Sequence, residues 1–523
     1  MKRLLSLILA AAMLVSVSGV YTANPVVAFA ATYASKNGEF TVKTSDMKRP
    51  TLLKKGAKYK IKGKLKANKD ITELSLVVED LNQFKNDISV VEYPEKKTVD
   101  LNKYSSELEF EELSPGEKQL VITAIDEDGN SIVLNRQFTV LGKAKEPYHI
   151  TKKCKISVSG GKVSAVTDSS DNTFWKSGKM KIEFPESKEV DGILIKWFWA
   201  SSKYTLKTFD ENGEELDSYS EKNYNMLNKY YPVNESAVRA EIVLKSQAGN
   251  KGMAAIRVYE KDKVGVSVQR WEPAKDDECD LMLISAHRDD EVLYFGGTIP
   301  YYQNVKDKNV YVLYMSGNSR LRNREALDCL WSMGCRTYPV FMGFEGGYHD
   351  GINGTLKSWG GETAVLKKVV EKIRKYKPDV VVSHDTKGEY GHPTHKTVSY
   401  IIQKAVKLAA DETKFSDSYK KYGEWQVQKL YLHMYKKNKI TMTCYKQTDA
   451  KMNWKSAYQL ACVGYDKHRS QHGGWSMNSS AVKKYPSNQY GLVYSSVGKD
   501  KEKNDFFENI DIDEKITQED SVN

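Results

Sequence analysis

Apolar and polar positions change their period along this chain, and the change divides it. From about residue 51 to 145 the pattern is β. Tyr59-Lys-Ile-Lys-Gly-Lys-Leu-Lys largely alternates apolar and basic residues, the period of a half-buried strand. Leu74-Ser-Leu-Val-Val, Leu120-Val-Ile-Thr-Ala and Phe138-Thr-Val-Leu continue it, and Asp128-Gly129-Asn130 reads as a hairpin turn. A second β unit runs from 146 to about 262. Its strands are Val190-Asp-Gly-Ile-Leu-Ile-Lys-Trp-Phe, Lys203-Tyr-Thr-Leu-Lys-Thr-Phe and Ala240-Glu-Ile-Val-Leu-Lys, with a turn at Asp210-Glu-Asn-Gly213. Short strands punctuated by turns predict two β-sandwich modules.

Beyond residue 275 apolar runs alternate with helical patterns, which predicts an α/β domain. Leu281-Met-Leu-Ile-Ser-Ala, Val310-Tyr-Val-Leu-Tyr-Met, Tyr338-Pro-Val-Phe-Met and Val380-Val-Val-Ser are the expected strands. Pro339 suits an edge position or a strand start. Helices are expected over 291–304, 322–333, 363–376 and 395–410, with Gly334 as a C-cap. The remainder reads as mixed β, and the stretch after Asp500 as a charged, frayed tail. The predicted fold class is multidomain: N-terminal β-sandwich modules, then an α/β, Rossmann-like domain with a mostly parallel sheet. The predicted boundaries are 1–30, 31–145, 146–265, 275–500 and 501–523.

Residues 1–30 carry a different signal. Lys2 and Arg3 precede an apolar run, Leu4 to Val17, too short to span a bilayer comfortably, and Ala28-Phe29-Ala30 offers small residues for cleavage. A secretory signal peptide is expected, and with it a secreted or wall-associated protein. With 523 residues the chain exceeds one ordinary core. Its formal charge of +11 suits an anionic wall polymer as neighbour. Export and the lack of a recognition motif argue against nucleic acid. The six cysteines form no C-x-x-C pair, which fits buried thiols better than a disulfide scaffold.

The chemistry concentrates late in the chain. Eight of nine histidines lie after residue 280, whereas Lys and Tyr are spread throughout. Ser285-Ala-His-Arg-Asp-Asp-Glu291 follows the first α/β strand, and His384-Asp-Thr-Lys-Gly-Glu-Tyr-Gly-His-Pro-Thr-His395 follows the fourth. In open parallel sheets ligands bind outside the carboxyl ends of strands, so both turns can face one crevice. Two imidazoles, a carboxylate and one open position form a catalytic zinc site, and a further carboxylate can take a proton from water. Alone, Asp289 and Asp290 read equally well as a helix N-cap cluster. The paired histidines elsewhere favour the metal reading.

Two family resemblances follow. Thr167-Asp-Ser-Ser-Asp-Asn-Thr-Phe-Trp175 and Gly252-Met-Ala-Ala-Ile-Arg-Val-Tyr-Glu260 resemble the early loop and last strand of discoidin-type, galactose-binding-like domains. The segment before it resembles immunoglobulin-like modules of secreted bacterial proteins. The discoidin resemblance implies glycan binding, or a spacer role, and a structural calcium with Asp168, Asp171 and Asn172 offering oxygens. Ala-His-x-Asp-Asp-Glu with Gly-His-Pro-x-His about a hundred residues on resembles the PIG-L-type de-N-acetylases over roughly 278–475. That resemblance implies His287, Asp290 and His395 as ligands of one zinc and Asp289 as general base. It implies that His392 stabilises the tetrahedral intermediate and leaving amine, and that Tyr390 donates to the oxyanion. Arg322 and Asp350, in matching Arg-x-x-Glu and Asp-Gly elements, would contact sugar hydroxyls. Arg322 could instead pair only with Glu325. His468-Arg-Ser-Gln471 matches a late element to which no role is assigned. Arg288 stands where the family usually has Pro, so its cation would repel a second cation, attract an anionic substrate or point to solvent. The expectation is a secreted zinc de-N-acetylase acting on N-acetylated amino sugars of an extracellular or wall glycan. The rival is a glycan-binding wall protein whose hydrolase-like domain is inactive.

Overall fold

The computed structural model describes residues 32–510, apart from 35–37, 44–47, 169, 171, 200–202, 222–225, 246–251, 447, 474–475 and 478. The expected signal peptide and Asp171 therefore lie outside the described residues. The chain divides into two compact units, Met1–Arg270 and Trp271–Asn523.

The first unit holds three sheets. An eight-stranded sheet is organised by one long strand, Lys64–Asp80, which pairs with four others. Its burial alternates along the second half, Leu74, Leu76 and Val78 facing inward, as the period of two requires. Tyr59–Gly63, read as strand from its alternation, contributes only an isolated bridge, Lys48 to Lys62. The Asp128-Gly129-Asn130 turn joins Gly116–Asp126 to Ser131–Leu141; Asp126 accepts from two backbone N–H groups of that turn. Residues 155–260 form a five-stranded and a three-stranded antiparallel sheet that share one core, with Ile182, Leu206 and Ile242 from one sheet and Ile193, Ile195 and Ile256 from the other. Asp168 accepts from the Ser170 N–H and the Thr173 hydroxyl. Among the described residues the expected calcium site gains no group of ligand-type side chains there.

The second unit is built on a seven-stranded mixed sheet. Its order is Val340–Phe344, Val310–Ser316, Leu281–Ser285, Val380–Ser383, Lys429–His433, Gln489–Ser495 and Lys439–Thr441. The first five strands are parallel, and Gln489–Ser495 pairs antiparallel with both of its neighbours, Lys429–His433 and Lys439–Thr441. Leu281–Ser285, Val310–Ser316 and Val380–Ser383 are buried at every position, which explains their unbroken apolar runs. Val340–Phe344 is an edge strand, and Pro339 stands just before it. Helices Glu362–Tyr376 and Pro393–Ala409 cover one face, packing Val369, Ile373, Val398 and Ile401 against Met282, Ile284 and Val381. Burying each such side chain contributes roughly 1.5–3 kcal/mol. The chain order reverses between Leu281–Ser285 and Val380–Ser383, which are direct neighbours. The carboxyl ends of those two strands are where such sheets bind ligands.

Two further expectations are corrected. The helix expected over 291–304 is two short pieces, Asp290–Leu293 and Thr298–Asn304. Gly296, at φ +40°, and Gly297 separate them. A Cβ on Gly297 would meet Ala457 at 2.5 Å, so the break lets helix Ala457–Lys467 approach closely. The stretch beyond Asp500 is not frayed through residue 510. Phe506 stacks on Tyr302 with centroids 5.3 Å apart, and buried Asp500 pairs with buried Lys429 at 2.5 Å. All six cysteines are free thiols.

Candidate metal centre

His287 leaves the sheet two residues after Leu281–Ser285, and the chain then turns sharply. Asp289 has φ +111°, a region in which few side chains are tolerated, and its N–H donates to the Glu291 carboxylate at 2.7 Å. The turn aims Asp290 back at its own start: the His287 N–H donates to Asp290 Oδ2 at 2.9 Å. From the neighbouring strand, Gly388 at φ +64° admits a tight loop, since a Cβ there would meet the His392 carbonyl at 2.7 Å. Pro393 then opens helix Pro393–Ala409, and His392 caps it by accepting the Thr394 N–H on Nδ1 at 3.1 Å. His395 thus falls in the first helical turn, fully buried, against the first strand end.

Three donor atoms converge. His287 Nδ1 lies 3.0 Å from Asp290 Oδ2 and 3.2 Å from His395 Nε2, and the last two lie 3.2 Å apart. Tetrahedral zinc bonds of about 2.0–2.1 Å would hold ligands about 3.3 Å apart, so the three residues fit that ion. His384 does not compete: its Nε2 accepts the Ala286 N–H at 2.8 Å, so it is a strand-end hydrogen-bonding residue. The charge also fits. Burial works against charge on His395, but Asp290 and Glu389 outweigh it and push its pKa up to about 10. Burial likewise opposes the Asp290 carboxylate, yet His395 and His287 hold it well below the usual range. The centre favours a cation.

A cavity of about 240 Å³ lies beside this cluster, lined by His287, Asp289, Asp290, Arg322, Tyr390 and His392 among others.

Residues 282–406 match the PIG-L family, described as GlcNAc-PI de-N-acetylase. The chain is 27% identical over 131 residues to a probable N-acetylglucosaminyl-phosphatidylinositol de-N-acetylase of Dictyostelium discoideum, a match covering 24% of this chain and 49% of that protein. It is 31% identical over 180 residues to a 1D-myo-inositol 2-acetamido-2-deoxy-alpha-D-glucopyranoside deacetylase of Rhodococcus opacus (strain B4), covering 29% of this chain and 60% of the relative. The chain thus spans about half to three-fifths of the length of these curated relatives. Among solved structures it is similar to the N,N'-diacetylchitobiose deacetylase of Pyrococcus horikoshii, at 17% identity and a TM-score of 0.27, covering 36% of this chain and 70% of that one.

Within the PIG-L segment, Arg288 does not point to solvent. It is 2% exposed; its guanidinium donates to the Ser316 carbonyl and lies 5.2 Å from the Phe341 ring centroid. Burial brings its pKa down to about 10. Arg288 ties the His287–Asp290 turn to the neighbouring strand end, and it is not among the residues lining the cavity. Arg322 pairs with Asp289 Oδ1 at 3.0 Å and with the Arg288 carbonyl, and not with Glu325. Glu325 instead accepts the Ser470 N–H and hydroxyl at 2.7 and 2.6 Å. His468 bonds Glu291 at 2.6 Å, so the late His-x-Ser-Gln element is anchored twice and brings Gln471 to the cavity. Asp350 is exposed at the start of helix Gly351–Ser358 and is not among the residues lining the cavity. His349 bonds the Ser358 hydroxyl, and His472 donates to the Tyr465 carbonyl.

The residue that sequence reading missed is Glu389. It is wholly buried and meets three imidazoles: Oε2 accepts from His384 Nδ1 at 2.8 Å and His395 Nδ1 at 2.7 Å, and Oε1 from His433 Nδ1 at 2.6 Å. The signal was present as a carboxylate inside a motif of three histidines, with His433 ending the next strand.

Proposed function

We propose that this chain is a secreted zinc-dependent de-N-acetylase acting on N-acetylated amino sugars of an extracellular or cell-wall glycan. The observation that carries the reading is the convergence of His287, Asp290 and His395 within 3.2 Å of one another, beside a cavity that His287, Asp290 and Asp289 line. His287, Asp290 and His395 would hold the ion. Zinc bound there supplies Lewis-acid activation of water near neutral pH.

The chain's own residues supply the proton transfers and the positioning. Asp289 takes the proton of the attacking water as the acetamide carbonyl becomes tetrahedral. Burial, then the adjacent Asp290, push its pKa up to about 7, a value suited to a base at neutral pH. Arg322 holds one of its oxygens and leaves the other for this task. Burial, with His287 and His395 adding to it, brings His392 down to about 3, so it is neutral. Its Nδ1 accepts the Thr394 N–H, which leaves Nε2–H to donate to the developing oxyanion and the leaving amine. Tyr390, beside it at the cavity, donates to the oxyanion. As the C–N bond breaks, Asp289 passes its proton to the amine, and acetate and a free amino sugar leave.

The export signal expected over residues 1–30 supports an extracellular site. Among the described residues no helix is long and apolar enough to cross a membrane. The discoidin-like module would hold the enzyme on its glycan. Zinc content and acetate release from N-acetylglucosamine oligosaccharides and peptidoglycan test the reading. Purified protein that binds no zinc when loaded, or that releases no acetate from any N-acetylated sugar, overturns it.

A further inference from the structure

Asp289, the general base of the proposed reaction, stands in a conformation that a residue with a side chain does not hold unaided. Its φ of +111° and ψ of −29° lie where the Cβ crowds the backbone. Two contacts keep it there. The Arg322 guanidinium holds the carboxylate, at 3.0 Å from Oδ1. The Glu291 carboxylate holds the backbone, because Oε2 accepts the Asp289 N–H at 2.7 Å. Asp290 has a separate hold, the His287 N–H at 2.9 Å.

Glu291 is in turn fixed from far along the chain. It is wholly buried, and its Oε1 meets Nε2 of His468, 177 residues on, at 2.6 Å. His468 is wholly buried too and stands at the end of helix Ala457–Lys467. That helix seats closely on its neighbour: a Cβ on Gly464 would meet Cys329 Sγ at 2.9 Å, in helix Arg320–Ser332, which carries Arg322. One helix thus stands behind both holds on Asp289.

Stability does not explain the Glu291–His468 pair. A buried pair of charged or polar groups returns little net stabilisation, since apolar side chains of the same shape avoid the desolvation. Nδ1 of His468 is buried without a hydrogen-bond partner among the described residues, which adds a cost. A leucine at 468 would pack without the desolvation of the imidazole. It could not fix the carboxylate that receives the Asp289 N–H.

We infer that Glu291 and His468 are positioning residues, which together hold the backbone of Asp289 so that the carboxylate oxygen left by Arg322 faces the reacting water. The inference rests on the deacetylase reading of the cavity. It gives the late His-x-Ser-Gln element a role in the reaction that does not pass through Gln471.

The test is His468→Leu, with zinc content, kcat and KM measured together on acetate release from N-acetylglucosamine oligosaccharides. Rates are counted per folded, zinc-bearing molecule. Zinc should be retained and kcat should fall about 10- to 100-fold, the cost of misplacing a catalytic group by about 1 Å, with KM within about twofold of wild type. His468→Gln, whose amide N–H can still reach Glu291, should restore most of the rate. Because His468 also anchors the element carrying Gln471, the loss should persist in a Gln471→Ala background. A loss that vanishes there shows His468 acting through Gln471 and overturns the inference. Glu291→Gln, of the same shape, weakens both bonds and carries the test if His468→Leu does not fold: kcat should fall and KM hold. Unchanged kcat in folded His468→Leu or in Glu291→Gln, or loss of zinc in either, overturns the inference and leaves the deacetylase reading standing. Wild-type protein that releases no acetate overturns both.

Discussion

Glu389 lies 2.7 Å from Nδ1 of His395, while the opposite ring nitrogen, Nε2, lies 3.2 Å from Asp290. A buried carboxylate thus sets both the tautomer and the orientation of a candidate ligand from behind. The same carboxylate binds His384, whose other nitrogen accepts the Ala286 N–H at 2.8 Å. One side chain therefore links the ends of two neighbouring strands. Glu389→Gln should lower zinc affinity about 10- to 100-fold, read by competition with a chromogenic chelator. Unchanged affinity would show that His395 needs no such support.

Asp289 and Asp290 are adjacent but face different tasks. Asp290 meets both histidines, whereas Asp289 meets Arg322. Asp290→Ala should abolish stoichiometric zinc binding. Asp289→Asn should keep zinc and lose about 10²- to 10⁴-fold in kcat. Metal content of both variants, with rates for the second, separates the roles. Loss of zinc in Asp289→Asn would contradict the division.

The Arg322 guanidinium beside Asp289 gives a pH prediction. It lowers the Asp289 pKa against the upward pull of burial and Asp290. A general base acts above its pKa, so the acid limb of kcat/KM reports that value. Removing the cation raises it. In Arg322→Gln the acid limb should move to higher pH, and kcat/KM at pH 6 should fall more than at pH 8. A limb that stays put would mean another group controls it.

Arg288 is buried against Ser316, Phe341 and Tyr314, away from the cavity lining. Arg288→Ala leaves the Ser316 carbonyl without that donor, a loss of about 1–3 kcal/mol of stability. Thermal or urea unfolding should register it. Discrimination between neutral and anionic N-acetyl sugars should not change. A changed preference would place the guanidinium's field in the substrate path.

Much of the second unit was legible before any tertiary contact. The unbroken apolar runs at 281–285, 310–316 and 380–383 mark strands buried on both faces, and the helices between them follow from a 3.6-residue period. The motif histidines announced themselves by clustering after two strands. The chain did not disclose the fate of long polar side chains. Arg288, Arg322 and Glu389 each had several plausible partners within reach of their flexible stems, and only packing chose Ser316, Asp289 and three imidazoles. The segment 500–510 misled for the same reason. Its charges suggested a tail, yet Asp500 neutralises buried Lys429 and Phe506 fills the space beside Tyr302.

By itself, the sequence determined most of the elements of the second unit and which residue types stand at their ends, because periodicity, glycine and proline act over a few residues. Tertiary structure decided that the ends of strands about a hundred residues apart are neighbours, and so that His287, Asp290 and His395 meet within 3.2 Å. That meeting depends on strand order and register, which arise from long-range pairing that no local window of sequence contains.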